Sequence, residues 1–417
     1  MKKELTKRQA LFLIVICFVA NKAQRLPGFI ATNIGRHGWL VTLILGMLDA
    51  LMLCVMLWTN RVSNGKTCYD MCRSAGGKWF AKFIVLFFAL YYILNAILPY
   101  EAIHDVFSNV LFDHLSWELY SVFIVFAIAF LATHGLSTIG RVTELLMFAI
   151  VASLAGLLVL GANTTDFTRV LPICDIDANK LFDTCFSFSM WFGDFTIVYI
   201  FMGRVKEDDG KMNFWFPTVL AISVIIMTFG YVVFYGLYEV LAPEQTNAIS
   251  SISQFALLNL DIGRVDWFLV LFFEMSTFIS SGLYVFGASK CICEVFEIKK
   301  QKIVTIALPI IIYFLDIFVF KSVGRGASKF ATIAKYFYPM IAIAFPVVLL
   351  VCSFVSRKKE RKKLQNLCRG EKYSHIFSQK LSKKPQNIIS VAKANQQIKE
   401  DLLFSKQKMK GGEPCKK

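Results

Sequence analysis

Charge is scarce in this sequence. Only 18% of its 417 residues are charged, against about a quarter in a soluble domain. Catalytic signatures are missing too. The chain has no Gly-x-x-x-x-Gly-Lys-[Ser/Thr] phosphate loop, no His-Glu-x-x-His and no Gly-x-Ser-x-Gly. Its five His, among them His37, His104 and His134, are scattered near the ends of apolar runs. The 11 Cys follow no framework spacing. Cys17, Cys54 and Cys352 lie in apolar runs and read as small buried hydrophobes. Cys68 and Cys72 are a lone pair with no His or second pair to complete a metal site. Cys174 and Cys185 are the two that could face the outside of a membrane, and a disulfide between them is not expected. The alternation of a membrane β-barrel is absent. The expectation is a chain that is not an enzyme and carries no cofactor and no metal.

What is present is apolar length. Hydrophobic residues make up 56% of the chain, with 40 Phe. Runs of roughly 20 apolar residues recur from end to end, each long enough to cross a hydrocarbon core of about 30 Å. In lipid the backbone must satisfy itself, so the runs must be helices. They fall at 9–32, 39–59, 80–107, 117–136, 143–162, 183–203, 213–241, 266–289, 303–320 and 333–355. The sequence therefore predicts an all-α integral membrane protein of about ten spans. The first run lacks a small-residue cleavage site and is expected to remain as a helix. The polar stretch 246–261 is too short to span and reads as an interfacial helix outside the bilayer. Asn163-Thr164-Thr165 matches a glycosylation sequon, a pattern common by chance.

Positive charge orients the spans. With the N-terminus inside, the inside connections before the tail carry 16 Lys/Arg and the outside ones 7, which favours both termini in the cytoplasm. The net charge of +16 is concentrated at 357–417, which holds 18 Lys/Arg against 5 Asp/Glu. That placement suits anionic lipid headgroups rather than nucleic acid. The division expected is a transmembrane domain over 1–356, with repeats at about 9–162 and 183–355, and a basic cytoplasmic tail over 357–417.

Two spans are chemically interrupted. The first carries Asn21, Lys22, Ala23, Gln24 and Arg25 and then Pro27-Gly28. Pro27 lacks an N–H and pushes its neighbour out of helix geometry. The sixth carries Ser187, Ser189, Gly193 and Asp194. They open the first and second groups of five spans, and an odd repeat length inverts one group relative to the other. Matched breaks in inverted halves point to a binding site near the midplane. A break frees N–H groups at one half-helix and C=O groups at the other. Together these suit an amino-acid zwitterion. A plain kink at Pro27 and close packing at Gly193 are the bland accounts.

Other polar residues lie at membrane depth. Asp49 sits midway along the second span, where a charge costs about 2.5–3.5 kcal/mol on insertion scales. Lys22 or Arg25 is the expected neutralising partner. Glu274, Ser276, Thr277, Ser280 and Ser281 make the eighth span polar, although hydroxyls also bond their own helix. Tyr91, Tyr92 and Asn95 on the third are candidate cavity residues, and Lys335 and Tyr336 snorkel at the tenth.

On these residues the chain resembles the spore germination permeases, the B subunits of nutrient germinant receptors, within the amino acid/polyamine/organocation transporter superfamily. The similarity covers nearly all of 4–363. It rests on the opening span and its LPGFIATNIGRHGW continuation, on Gly65-Lys66-Thr67, and on Gly135, Ile139, Gly140, Arg141 and Glu144 of HGLSTIGRVTE. Gly193-Asp194 and the last span followed by SRKKERKK complete it. The resemblance implies a five-plus-five inverted repeat of the leucine transporter type. It also implies a pocket between spans one, three, six and eight, an amino acid as germinant, and assembly with receptor A and C subunits in the inner membrane of the endospore. It implies sensing rather than accumulation. The competing reading is a secondary amino acid transporter coupled to protons or sodium. Three departures stand out: Asn21, Lys22 and Arg25 replace small or apolar residues, Asp49 replaces an apolar one, and the tail is longer. A cationic lining suits an acidic germinant.

Overall fold

The computed structural model describes residues 5–63, 66–106, 117–171, 175–202, 204–205, 212–245, 247–257, 266–315 and 344–362. Lys335, Tyr336, Cys174 and tail residues 363–417 lie outside them, as does the side chain of Asn21. The chain divides into two compact units, 1–357 and 358–417. The first is a helical bundle.

Its helices are α1 (Lys7–Ala23), α2 (Leu26–Ile34), α3 (Gly38–Val62), α4 (Cys68–Gly76), α5 (Lys78–Val106), α6 (Trp117–Thr133) and α7 (Leu136–Thr164). Then come α8 (Ala178–Phe188), α9 (Ile197–Phe201), α10 (Met212–Tyr238), α11 (Ala248–Leu257), α12 (Asp266–Phe296), α13 (Gln301–Leu315) and a last helix, α14, beginning at 344. Local chemistry sets their ends. Thr6 and Gln9 form a reciprocal capping box on α1, with N···O distances of 3.3 and 3.1 Å. The Asp177 carboxylate caps α8 and the Thr67 hydroxyl caps α4. Gly35, at φ +58°, turns the chain between α2 and α3, a conformation costly for any side chain. By length and composition, five helical stretches among the described residues can cross a membrane.

The interhelical contacts pair equivalent spans of the two halves. Span three (α5) packs on span eight (α12), span two (α3) on span seven (α10), and span four (α6) on span nine (α13). Equivalent elements meet in this way when the halves are related by an axis in the membrane plane. The outer surface is apolar: Phe126, Phe130, Leu145 and Phe148 are exposed, Phe148 to 85%. Such a surface is a liability in water and ordinary against lipid. Many intramembrane hydroxyls bond their own helix, as Thr143 does to the Ile139 carbonyl and Ser223 to that of Val219.

One reading needs correction. The described part of the 246–261 stretch does not rest on a surface. Ala248, Ile249, Ile252 and Ser253 of α11 are buried, and its apolar side packs with Val233, Phe234 and Leu237 of α10. Cys72 of α4 lies beside Cys352 of α14.

Candidate functional site at the paired helix breaks

Span one breaks over two residues. α1 ends at Ala23, Gln24 leaves helix geometry at φ −93°, ψ −84°, and α2 restarts at Leu26 with Pro27 in its first turn. The freed Gln24 carbonyl accepts from the Ala248 N–H at 2.9 Å, so α11 satisfies one orphan of the broken helix. The Gln24 amide donates to Glu274 Oε1 at 2.5 Å, and the Thr277 hydroxyl donates to Glu274 Oε2 at 2.7 Å. Spans one and eight are thereby joined at the break.

Span six breaks after α8. A short turn, Ser189–Trp191, leads into extended Phe192 and then Gly193, and a second turn, Asp194–Thr196, precedes α9. Gly193 is the N-cap of that second turn, and its carbonyl accepts from both the Thr196 N–H, at 3.1 Å, and the Thr196 hydroxyl, at 2.7 Å. The Tyr92 hydroxyl of span three donates to the Thr196 carbonyl at 2.6 Å.

The two breaks meet through charge. Lys22, in the last turn of α1, forms a buried ion pair with Asp194, and its ammonium lies 4.3 Å from the Phe18 ring centroid and 5.0 Å from that of Phe192. Asp194 Oδ1 accepts from the Tyr284 hydroxyl of span eight at 2.9 Å. Asp49 Oδ1 accepts from the Phe195 N–H at 3.2 Å. The expected Asp49–Lys22 or Asp49–Arg25 pair is therefore replaced. Lys22 pairs with Asp194, and it acts on Asp49 as a nearby charge within a three-membered cluster. The reason is topological: spans one and six cross at their breaks, which puts the Asp194 carboxylate nearer than the one on the neighbouring span. Arg25 sits half-buried at the N-cap of α2.

Of the remaining candidates, Ser280 is buried beside Cys17, to which it hydrogen-bonds. Asn95 and Ser189 bond carbonyls of their own span, at Tyr91 and Phe186, and Ser187 is half-buried. Ala23 and Pro27, with Met227, Tyr231 and Ala248, border an apolar cavity of about 10 Å³, room for about one water. Sequence reading missed Tyr284, one helical turn beyond Ser280. It also placed Lys290 in an inside connection. Lys290 is buried, its ammonium 5.2 Å from the Tyr199 ring centroid and 3.4 Å from the Ile200 carbonyl near the end of α9, where a helix favours a cation.

Two broken spans joined at their breaks, in a bundle of inverted halves, define a multi-pass membrane protein of the permease class. The fold is that of a solved structure of Mhp1, a nucleobase-cation-symport-1 family transporter in a closed conformation with bromovinylhydantoin bound. That likeness has a TM-score of 0.56 at 13% identity, over 75% of this chain and 72% of the other. It is the five-plus-five fold of the leucine transporter type. Residues 4–321 match the model of the Spore_permease family, described as spore germination protein, and the chain belongs to that family. A comparison with curated proteins finds no match.

Proposed function

We propose that this chain is the membrane-embedded B subunit of a germinant receptor and that it senses an amino-acid-type nutrient at the joined breaks. The observation that supports this most is the Lys22–Asp194 pair, which ties both unwound segments to one point. A ligand wedged there is read by both halves of the bundle at once. The ligand's carboxylate would meet freed N–H groups at the start of α2, and its amino group the carbonyls at the end of α8, in the Ser187–Gly193 stretch. Lys22 is already neutralised by Asp194, so a zwitterion fits better than the anion suggested by a cationic lining. The same reading places the chain in the inner membrane of the endospore with both termini cytoplasmic. It gives the chain receptor A and C subunits as partners and anionic lipid at its basic tail. A secondary amino acid transporter is the second reading, supported by the fold it shares with a transporter.

The test is thermal unfolding of the purified full-length protein against a panel of the standard amino acids. At least one should raise the Tm. Ser189→Trp and Gly193→Val should shift the concentration needed while leaving the protein in the membrane. Identical responses in both variants and wild type would remove the site from the breaks. Flux into proteoliposomes separates the two readings, since a sensor gives none.

A further inference from the structure

Formal charge does not balance at the centre of the bundle. Lys22 on α1, Asp49 on α3 and Asp194 beyond Gly193 are each about 1% exposed. One ammonium thus faces two carboxyl groups. Lys22 is ion-paired with Asp194, and Asp49 Oδ1 accepts from the N–H of Phe195, the residue next to Asp194. Two carboxylates sharing one ammonium in a buried site cannot both stay ionised at no cost, and a net charge at bilayer depth is itself expensive. A single proton resolves both problems, because it supplies the donor between the carboxyls and brings the cluster to neutrality.

The neighbours do not remove the need for that proton. The Phe195 N–H and the Tyr284 hydroxyl donate one hydrogen bond each, to Asp49 and Asp194, and both are neutral. Asp49 Oδ2 is buried and has no hydrogen-bond partner among the described residues. Cys17 of α1 faces Asp194 and Lys22 as a thiol bonded to Ser280 of α12. α10 meets α3 one turn away through Val224 against Gly46, an apolar contact. Lys22 also lies in the last turn of α1, where freed carbonyls favour a cation.

We propose that Asp49 and Asp194, beside the Lys22 ammonium, hold one exchangeable proton between them, and that this proton is the ion bound by the permease site. The ionic role rests on the permease reading above, whereas the bound proton does not. Releasing it to water leaves one uncompensated negative charge among α1, α3 and the Asp194–Thr196 turn. That charge favours hydration and separation of these elements, so proton loss and opening are coupled.

Infrared spectroscopy of the full-length protein in lipid nanodiscs, titrated with pH, tests this. The wild type should show the carbonyl stretch of a protonated carboxylic acid, fading as pH rises. Asp49→Asn, isosteric with the protonated acid, should fold and lack that band. Lys22→Met should show a stronger band, because two acids then need protons. A band that survives Asp49→Asn and disappears in Glu274→Gln assigns the proton to Glu274 and overturns the proposal, as does a wild-type protein without the band. If Asp49→Asn does not fold, Asp194→Asn replaces it: the remaining Asp49 should ionise against Lys22 and the band should again be lost, and its retention overturns the proposal. Exchanging potassium for sodium should leave the Tm unchanged, and a sodium-dependent rise would give the ionic role to a metal cation. The amino-acid Tm shift, read on the same samples, reports separately on the nutrient site.

Discussion

Lys22–Asp194 and Lys78–Glu297 are the same chemical pair in opposite surroundings. The first has side chains 0% and 2% exposed, the second 51% and 54%. In the bilayer core each charge depends on its partner, because water is not there to replace it. At the helix ends water takes over whatever the partner gives up, and such pairs contribute little. Burial, then, and not the presence of an ion pair, separates the centre of this bundle from its periphery.

The comparison breaks first at Lys22. Lys22→Met leaves Asp49 and Asp194 together without a cation, and removing one partner of a buried pair costs about 3–5 kcal/mol. The expected outcome is strongly reduced protein in the membrane at neutral pH, partly restored by adding Asp194→Asn. Purely additive losses in the double mutant would show that the two side chains do not depend on each other. Asp49→Asn alone, by contrast, leaves the Lys22–Asp194 pair neutral and should be tolerated. Reading Asp49 as the sole partner of Lys22 would have predicted damage there.

Packing around the break comes next. A Cβ on Gly28 would collide with the Gln245 backbone carbonyl and approach that of Ala242 at 3.6 Å. Backbone yields less readily than a flexible side chain, and overpacking of this kind typically costs about 1–3 kcal/mol. Gly28→Val should lower the Tm accordingly. It should also speed labelling of a Cys placed at Ala23, which lines the cavity at the break. Unchanged labelling would mean that the contact between α2 and the 242–248 segment does not close the site.

Much of this architecture could be read from local signals. Hydropathy marks spans because lipid demands long apolar runs, and Pro27 and Gly193 mark breaks because neither supports an uninterrupted helix. The choice of partner is different. Lys22 and Asp194 are 172 residues apart, and nothing in either neighbourhood says which of two buried carboxylates a lysine will take. The burial of α11 was hidden for a similar reason. Its serines look solvent-facing until Ser253 is seen bonding the Ser250 carbonyl and the Ala248 N–H is seen on Gln24. In the Gly135–Glu144 block the resemblance supplied positions, and the structure supplies reasons. Gly135, at φ +84°, starts α7, and Gly140 admits the Leu5 side chain, which a Cβ would meet at 2.6 Å.

Glu144 of that block is an intermediate case. It accepts from the Gln9 amide at 2.9 Å and pairs with Arg8, holding the start of span one against span five. The Arg8 side chain is 70% exposed and that of Glu144 25%, so the ion pair is largely screened. Glu144→Ala should cost roughly 1 kcal/mol, near the net value of one hydrogen bond, read as a small fall in Tm. A loss as large as that of Lys22→Met would erase the contrast between centre and periphery.

The smallest effect belongs to Glu297, and its pH dependence gives it away. Hydrogen bonds from Lys78 and Lys82, at 2.7 and 3.0 Å, hold the Glu297 carboxyl down from 4.5 to about 2. A carboxyl whose folded value is depressed contributes its stabilisation in full above the unfolded value and loses it as pH falls through the folded one. The contribution should therefore be present above about 4.5 and disappear towards about 2. Because the group is open to solvent, water and salt screen both lysines. The Tm difference between wild type and Glu297→Gln should be slight at neutral pH in low salt and vanish in either acid or high salt. The central cluster, shielded from salt, should keep its pH dependence under both ionic conditions. If added salt flattened the pH dependence of the wild type and of Glu297→Gln alike, the centre would have to be as wet as the periphery, and the distinction between the two regions would fall.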